Sequence, residues 1–259
     1  MVRFSRETQA MDDKLNRCVE DACLNAWPAL KEIFYDGWLI RLAEGHTRRT
    51  NSVNVLHAGV TPMDEKIAHC ERLYGAHGLP AIFRIRSTDD PALERVLASR
   101  GYGAQDESCT LYKDFGGGIA IPAGDVEIRH GGASAEWLST QARFAQRPLQ
   151  RDDIRARLLR QVALPVAFAA RRDGDGRMVS VAYGAIHERL VSLQWVVTDP
   201  KARGRGHARA NLSALMQWAA RNGAQGACLQ VFAANHPAIG LYESMGFAQE
   251  LYRYHYRVR

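Results

Sequence analysis

The chain has 259 residues, which is long for one compact α/β unit and comfortable for two units of about 110–140 residues each. Its 46% hydrophobic and 24% charged residues exclude a disordered chain, and its longest apolar runs, such as 163–170, are far shorter than the ~20 residues that cross a bilayer. The net charge of +6 favours an anionic partner, but arginines spread along the chain without interleaved aromatic residues give nucleic acid little support.

The first half of the chain ends in an alternation of helices and strands. Apolar spacing and flanking turn residues predict, in chain order, a helix over Met63–Ala76, a strand over Pro80–Ile85, a helix over Asp90–Arg100 and a strand that runs through Tyr112. No segment rich in arginine and glycine precedes the first of these helices.

A glycine-rich segment then separates two halves. Three consecutive glycines from Gly116 to Gly118, followed by Pro122, cannot continue a helix or a central strand. We therefore predict a domain over residues 1–115, a linker over 116–123 and a second domain over 124–259.

The second half alternates in the same way. The predicted strands are Val126–His130, Val166–Ala170, Met178–Ile186, Leu190–Val197, Ala227–Phe232 and Phe247–Val258. The predicted helices are Ala133–Ala145, Asp152–Val162, His207–Arg221 and Pro237–Met245. This order predicts an α/β fold, and the shared helix–Gly–aromatic–strand ending of both halves predicts two diverged copies of one unit.

A strand–loop–helix at 193–221 carries the clearest chemistry. Its loop reads Arg203, Gly204, Arg205, Gly206, His207, Ala208. The unpaired N–H groups that begin a helix bind anions, glycines let an anion approach them, and guanidinium groups pair with phosphate oxygens. Taken alone, the first four residues of the loop are equally typical of a flexible surface loop. The third glycine of a dinucleotide loop and the Lys-Ser/Thr of a P-loop are absent.

The wider context of this loop resembles the GNAT superfamily of acyl-CoA N-acyltransferases. Arg203, Gly206 and Ala208 match its Gln/Arg-x-x-Gly-x-Gly/Ala signature. A second family element is matched by Asn235, followed by Leu241-Tyr242-Glu243 and Gly246-Phe247. The first half is similar to the degenerate copy of tandem members of the family. The resemblance implies a mixed α/β sheet in each of two tandem units, with strands four and five of the second unit splayed around CoA.

The resemblance also implies roles for single residues. Backbone groups near Val196 and Val197 would bind pantetheine, and an amide near Val197 would hold the oxyanion. The amides of Arg203, Gly204, Arg205, Gly206, His207 and Ala208 would hold the pyrophosphate, and Asn235 would contact the pantetheine arm. Tyr242 would protonate the departing thiolate, although a tyrosine at this place also suits a buried core. The glutamate that many members carry on strand four is replaced by Val191.

These features predict an N-acetyltransferase that moves an acetyl group from acetyl-CoA to the primary amine of a small molecule, a peptide or a protein. The cofactor-less first half is expected to shape acceptor specificity. The missing glutamate keeps a non-catalytic acyl-CoA sensor or partner-binding module open as the alternative.

The five cysteines show no metal-binding spacing, so no metal is expected. The absence of a secretory pattern favours the cytoplasm, and the oligomeric state, a homodimer included, is left open.

Overall fold

The computed structural model describes residues 6–146 and 152–259, and the eleven strands within these ranges form one mixed sheet. The strands are β1 (Lys31–Tyr35), β2 (Trp38–Leu42), β3 (Val53–Val55), β4 (Ile82–Arg86), β5 (Gly103–Asp114), β6 (Glu127–His130), β7 (Val166–Arg172), β8 (Met178–His187), β9 (Leu190–Thr198), β10 (Gly226–Phe232) and β11 (Gln249–Val258). The helices are α1 (Arg6–Ala26), α2 (Met63–Ala76), α3 (Pro91–Ser99), α4 (Ala135–Phe144), α5 (Asp152–Arg160), α6 (His207–Arg221) and α7 (His236–Glu243). The predicted α/β class is confirmed.

The two halves of the sequence exchange strands at the centre of this sheet. The strand order is β1-β2-β3-β4-β11-β5-β10-β9-β8-β7-β6. The last strand of the chain, β11, thus lies between β4 and β5, while β5 from the first half pairs antiparallel with β10 from the second. Each half therefore supplies a central strand to the other. The division into two domains by a linker at residues 116–123 stays a prediction, and strands from both sides of that linker belong to the same sheet.

Helix α1 was not predicted, and it covers the strands of the other half. Val19, Ala22 and Cys23 on this helix form a buried cluster with Leu190 and Cys228. Just past this cluster, the hydroxyl of Tyr183 on β8 donates to the backbone oxygen of Ala26 at 2.8 Å. This apolar face of the second half is therefore covered by the first half, and the two halves share buried apolar clusters.

Local patterns set the helix limits well. The predicted bounds of α2 and α6 match the structure, and the predicted apolar face of α6 is buried at Leu212, Leu215, Met216 and Ala219. Helix α7 ends at Glu243, two residues before the predicted end, because the chain turns at Gly246, whose φ of 88° is left-handed. No helix in residues 6–146 and 152–259 is both long and apolar enough to cross a membrane.

Candidate active site

Strands β9 and β10 separate after a short parallel contact. Their pairing joins Leu190, Val191 and Ser192 to Gly226, Ala227 and Cys228, and no later pair follows, although β9 continues to Thr198 and β10 to Phe232. Beyond Ser192, the edge of β9 that faces β10 therefore has main-chain donors and acceptors free to meet a ligand. This gap is the predicted splay of strands four and five.

A β-bulge in β9 lies at the gap. Val197 pairs with Val181 and Gln194 with Tyr183, so Trp195 and Val196 together oppose the single residue between those partners. Trp195 has a φ of +51°, a conformation that costs a non-glycine residue about 1–3 kcal/mol. Its indole packs against the rings of Trp27, Trp137 and Tyr183, at centroid distances of 4.4, 6.1 and 5.8 Å. This aromatic cluster holds the bulge, which the alternating apolar pattern of the sequence did not reveal.

On one side of the gap a cavity of about 690 Å³ extends from β9 to the start of α6. The predicted cofactor residues among its walls are Val196, Val197, Arg203, Gly204, Gly206, His207, Ala208, Asn235 and Tyr242. Arg205 belongs instead to the walls of an adjacent cavity, which His207 also lines. One connected surface thus contains the predicted site apart from Arg205.

The glycines of the loop are required by its backbone. Gly204 and Gly206 have φ values of 74° and 78°, both left-handed, and Gly206 is the residue that precedes α6. A Cβ at either position would meet no other atom within 4 Å. The glycines therefore serve the turn that opens the first N–H groups of α6, and the space above them is clear for an anion.

The charged residues of the loop differ in their surroundings. Arg203 and Arg205 are exposed, and within the described residues neither has an ion-pair partner. Arg209 donates to the backbone oxygen and the hydroxyl of Ser244, so it ties α6 to the end of α7. Burial, together with the nearby Arg171 and Arg205, lowers the pKa of His207 below its usual value.

Tyr242 and Asn235 lie where α7 meets the gap. Burial raises the pKa of the Tyr242 phenol to about 12, and its hydroxyl has no hydrogen-bond partner among the described residues. Its proton is therefore available to a ligand, unlike that of a core tyrosine whose hydroxyl is engaged. The side-chain oxygen of Asn235 caps α7 by accepting from the backbone nitrogen of Ala238 at 3.3 Å, and Asn235 lines both cavities beside the gap.

A second cavity, of about 430 Å³, opens on the other side of the gap and shares Val196, Asn235 and Tyr242 with the first. Both halves of the chain build it. Its remaining walls are Trp27, His46, Thr47, Arg48, Arg49 and Asp106 from the first half, with Leu193, Gln194, Trp195, Gln230, Val231, Phe232, Tyr254 and Tyr256 from the second. One face of the segment 252–257 suits either a pocket wall or an edge strand by its sequence alone; β11 lies inside the sheet, and Tyr254 and Tyr256 line this cavity. The sequence did not predict that residues of both halves meet here, because the strand exchange brings them together.

Val191, which occupies the position where many GNAT proteins carry a glutamate, does not line this second cavity. Val191 is fully buried in the core of the second half. The acidic residue on the cavity wall is Asp106, which forms an ion pair with Arg48. His187 and Glu188, at the turn between β8 and β9, line neither cavity. In the part of the chain that the structure describes, no cluster of three histidine, cysteine or acidic residues could hold a metal ion.

Comparison with known proteins is consistent with this geometry. Residues 16–257 match the sequence family described as "Probable histone acetyltransferase Rv0428c C-terminal". The chain is 24% identical over 253 residues to the uncharacterized N-acetyltransferase YobR of Bacillus subtilis (strain 168), a match that covers 96% of this chain and all of YobR.

Solved structures share the fold at low sequence identity. A tandem GNAT protein from the clavulanic acid biosynthesis pathway superposes with a TM-score of 0.63 and 14% identity, over 80% of this chain and 74% of that one. A GCN5-related N-acetyltransferase from Kribbella flavida superposes with a TM-score of 0.62 and 15% identity, over 96% and 94% of the two chains.

Proposed function

Since the chain belongs to the Rv0428c C-terminal family of GNAT N-acetyltransferases, we propose that it transfers an acetyl group from acetyl-CoA to a primary amine. The observation that carries the proposal is the pair of cavities that meet between the separated strands β9 and β10. One cavity ends at the glycine loop, the other opens on the opposite side, and Val196, Asn235 and Tyr242 line both. A donor and an acceptor can therefore approach the same point from two directions.

The walls of the first cavity fit acetyl-CoA. The amides of the loop from Arg203 to Ala208 would hold the pyrophosphate, with the two exposed arginines as counter-charges. The free main-chain edge of β9 at Val196 and Val197 would bind the pantetheine amides, and the side-chain nitrogen of Asn235 would contact the same arm. Bound in this way, the cofactor supplies a thioester whose carbonyl carbon reacts with an amine.

Tyr242 would assist the departure of the thiolate. A phenol with a raised pKa keeps its proton at neutral pH, and it can donate a hydrogen bond to sulfur as negative charge develops there. Main-chain N–H groups near the bulge at Val196 and Val197 are candidates to stabilise the charge that develops on the carbonyl oxygen. The buried Val191 leaves β9 without a general base at that position.

The first half would shape the acceptor site. The segment from His46 to Arg49 and the side chain of Asp106 contribute to the second cavity, although they precede the glycine loop by a long stretch of sequence. A half without its own glycine loop thus contributes walls to the second cavity, which meets the cavity of the loop at Val196, Asn235 and Tyr242. This arrangement supports the expectation that the first half determines which amine is used.

Mass spectrometry of acetyl transfer to a panel of primary amines tests the proposal. The intact protein should acetylate at least one amine in the presence of acetyl-CoA, and the rate should drop in Tyr242→Phe. The alternative of a non-catalytic acyl-CoA sensor rests on the missing carboxylate of β9. It predicts measurable acetyl-CoA affinity by calorimetry with no acetylated product, and that result would overturn the enzyme proposal.

A further inference from the structure

The second cavity contains a guanidinium group without a carboxylate partner. Arg49 lies on a short 3-10 helix over Arg48–Thr50, in the connection between β2 and β3. Its Nη1 donates to the side-chain oxygen of Gln194 on β9 at 2.9 Å, and Gln194 is itself buried. Within residues 6–146 and 152–259 no acidic side chain forms an ion pair with Arg49. A full positive charge therefore lies on the cavity wall next to a neutral amide.

The neighbouring arginine shows the contrast. Arg48 forms an ion pair with Asp106, and its Nη2 donates to the side-chain oxygen of Gln105 at 2.6 Å. Its charge is thus neutralised within the protein, and so is the charge of Asp106. Of the two arginines on the cavity wall, Arg49 is therefore the one whose charge no described carboxylate neutralises.

Two neutral phenols also lie on the wall of this cavity. They belong to Tyr254 and Tyr256 on β11, whose rings lie 5.7 Å apart. The Tyr254 hydroxyl donates to the side-chain oxygen of Gln230 at 3.4 Å. A guanidinium that is partly withdrawn from water and paired only with neutral groups retains donors for an anion, and a carboxylate matches its planar fork.

We infer that the acceptor is a small primary amine that also carries a carboxylate, which Arg49 binds inside the second cavity. The inference rests on the proposed acetyl transfer and names its substrate class. With the carboxylate at Arg49, the amine of the same molecule can face the end of the cavity at Val196 and Tyr242, which both cavities share. The volume of about 430 Å³ is within the range of ~300–1,000 Å³ typical of small-molecule sites.

The same charge disfavours a basic protein tail. A lysine on such a tail approaches together with further cations, and each of them is repelled by the uncompensated charge of Arg49 in a partly desolvated site. An amine accompanied by a carboxylate within one molecule avoids this repulsion. Efficient transfer to a lysine-rich peptide, with no response to changes at Arg49, is accordingly an outcome that contradicts the inference.

Matched pairs of probes test it. Free α-amino acids and the corresponding α-amino amides differ only in the charge of one group, so their binding to the full chain saturated with CoA can be compared by ligand-observed NMR. We expect at least one amino acid to bind about tenfold or more tightly than its amide. In Arg49→Gln this preference should disappear, and in Arg49→Lys part of it should remain.

Arg189→Gln is the matched control, because Arg189 also donates to a glutamine side chain, that of Gln225 at 3.2 Å, but lies outside the cavity. It should leave the preference unchanged. Equal binding of acids and amides to the unmodified protein, or a preference that survives Arg49→Gln, overturns the inference. Acetyl-CoA affinity, measured by calorimetry on the same variants, should not change with Arg49. If the unmodified protein had no affinity for acetyl-CoA, the proposed function itself would fail. Failure of the inference about Arg49 and failure of the proposed function are therefore distinguishable.

Discussion

The carboxylate of Glu20 and the guanidinium of Arg84 form an ion pair at the junction of the two halves, with side-chain exposures of 4% and 3%. Glu20 lies on α1, Arg84 on β4, and the hydroxyl of Tyr252 on β11 donates to the same carboxylate. Arg84 also lies over the ring of Tyr254, 3.9 Å from its centroid. The buried charge pair and the Tyr252 hydroxyl thus join three elements that are distant in sequence, beside Tyr254, a residue of the second cavity.

Removal of one charge from this pair should destabilise the whole chain. Glu20→Gln leaves the Arg84 guanidinium buried without a counter-charge, which costs about 3–5 kcal/mol of unfolding free energy. Denaturant titration measures the loss. Glu44→Gln is the control, because Glu44 forms an exposed ion pair with Arg157 at 2.8 Å, and such pairs contribute about 0–1 kcal/mol. Equal stability of the two variants would contradict the role of the buried pair.

The same pair predicts a pH dependence of stability. Burial alone raises the pKa of Glu20, but Arg84 outweighs it and brings the folded-state pKa down to about 2, from 4.5 for the free side chain. Because the folded value is the lower one, the stabilisation is complete above pH 4.5 and is lost as the pH falls towards 2. Urea titrations from pH 6 to 2 should show a decline that is shallower in Glu20→Gln. Parallel curves would exclude this origin of the acid sensitivity.

Tyr242→Phe should slow acetyl transfer without loss of stability. The hydroxyl has no hydrogen-bond partner among the described residues, so its removal breaks no hydrogen bond to them. Loss of a proton donor at the thiolate should lower kcat by about 10²–10⁴-fold, with a small change in acetyl-CoA affinity. The control is Tyr183→Phe, because the Tyr183 hydroxyl donates to the backbone oxygen of Ala26 and Tyr183 does not line the first cavity. This variant should have a lower melting temperature and a near-normal kcat. Unchanged kcat in Tyr242→Phe would remove the tyrosine from the mechanism.

Gly206→Ala should weaken acetyl-CoA binding through the backbone. At a φ of 78° an alanine costs about 1–2 kcal/mol, and relief of that strain rotates the amides that begin α6 away from the cavity. Calorimetry should show that the affinity for acetyl-CoA falls by up to about tenfold. Gly174→Ala, in the hairpin between β7 and β8 where a Cβ would meet no atom within 4 Å, should bind normally. An equally tight Gly206→Ala variant would show that the loop amides do not hold the cofactor.

Charge reversal at Arg203 and Arg205 tests the counter-charges separately from the backbone. Both side chains are exposed, so the double variant to glutamate should fold normally and yet bind acetyl-CoA much more weakly, with a reduced dependence of affinity on salt. The single variants should show whether Arg205, which lines the adjacent cavity, contributes less than Arg203. Tight binding by the double variant would contradict the assignment of the loop to the pyrophosphate.

Features coded in contiguous sequence could be predicted from it. The limits of α2 and α6, the strand–loop–helix around Gly206 and the short helix that carries Tyr242 depend on hydrophobic period, on glycine conformation and on capping, which act over a few residues. These local rules were sufficient to locate most of the predicted residues that line the first cavity.

The tertiary structure alone decided what the halves share. The exchange of β5 and β11, the packing of α1 on the other half and the bulge at Trp195 depend on which strand edges and apolar faces meet, and no local period encodes that choice. For the same reason Arg49 and Gln194, 145 residues apart, became neighbours only in the folded chain. The sequence by itself determined where the glycine loop and the start of α6 lie, because both depend on residues close together in the chain, and long-range pairing of strands decided which residues line the cavities beside them.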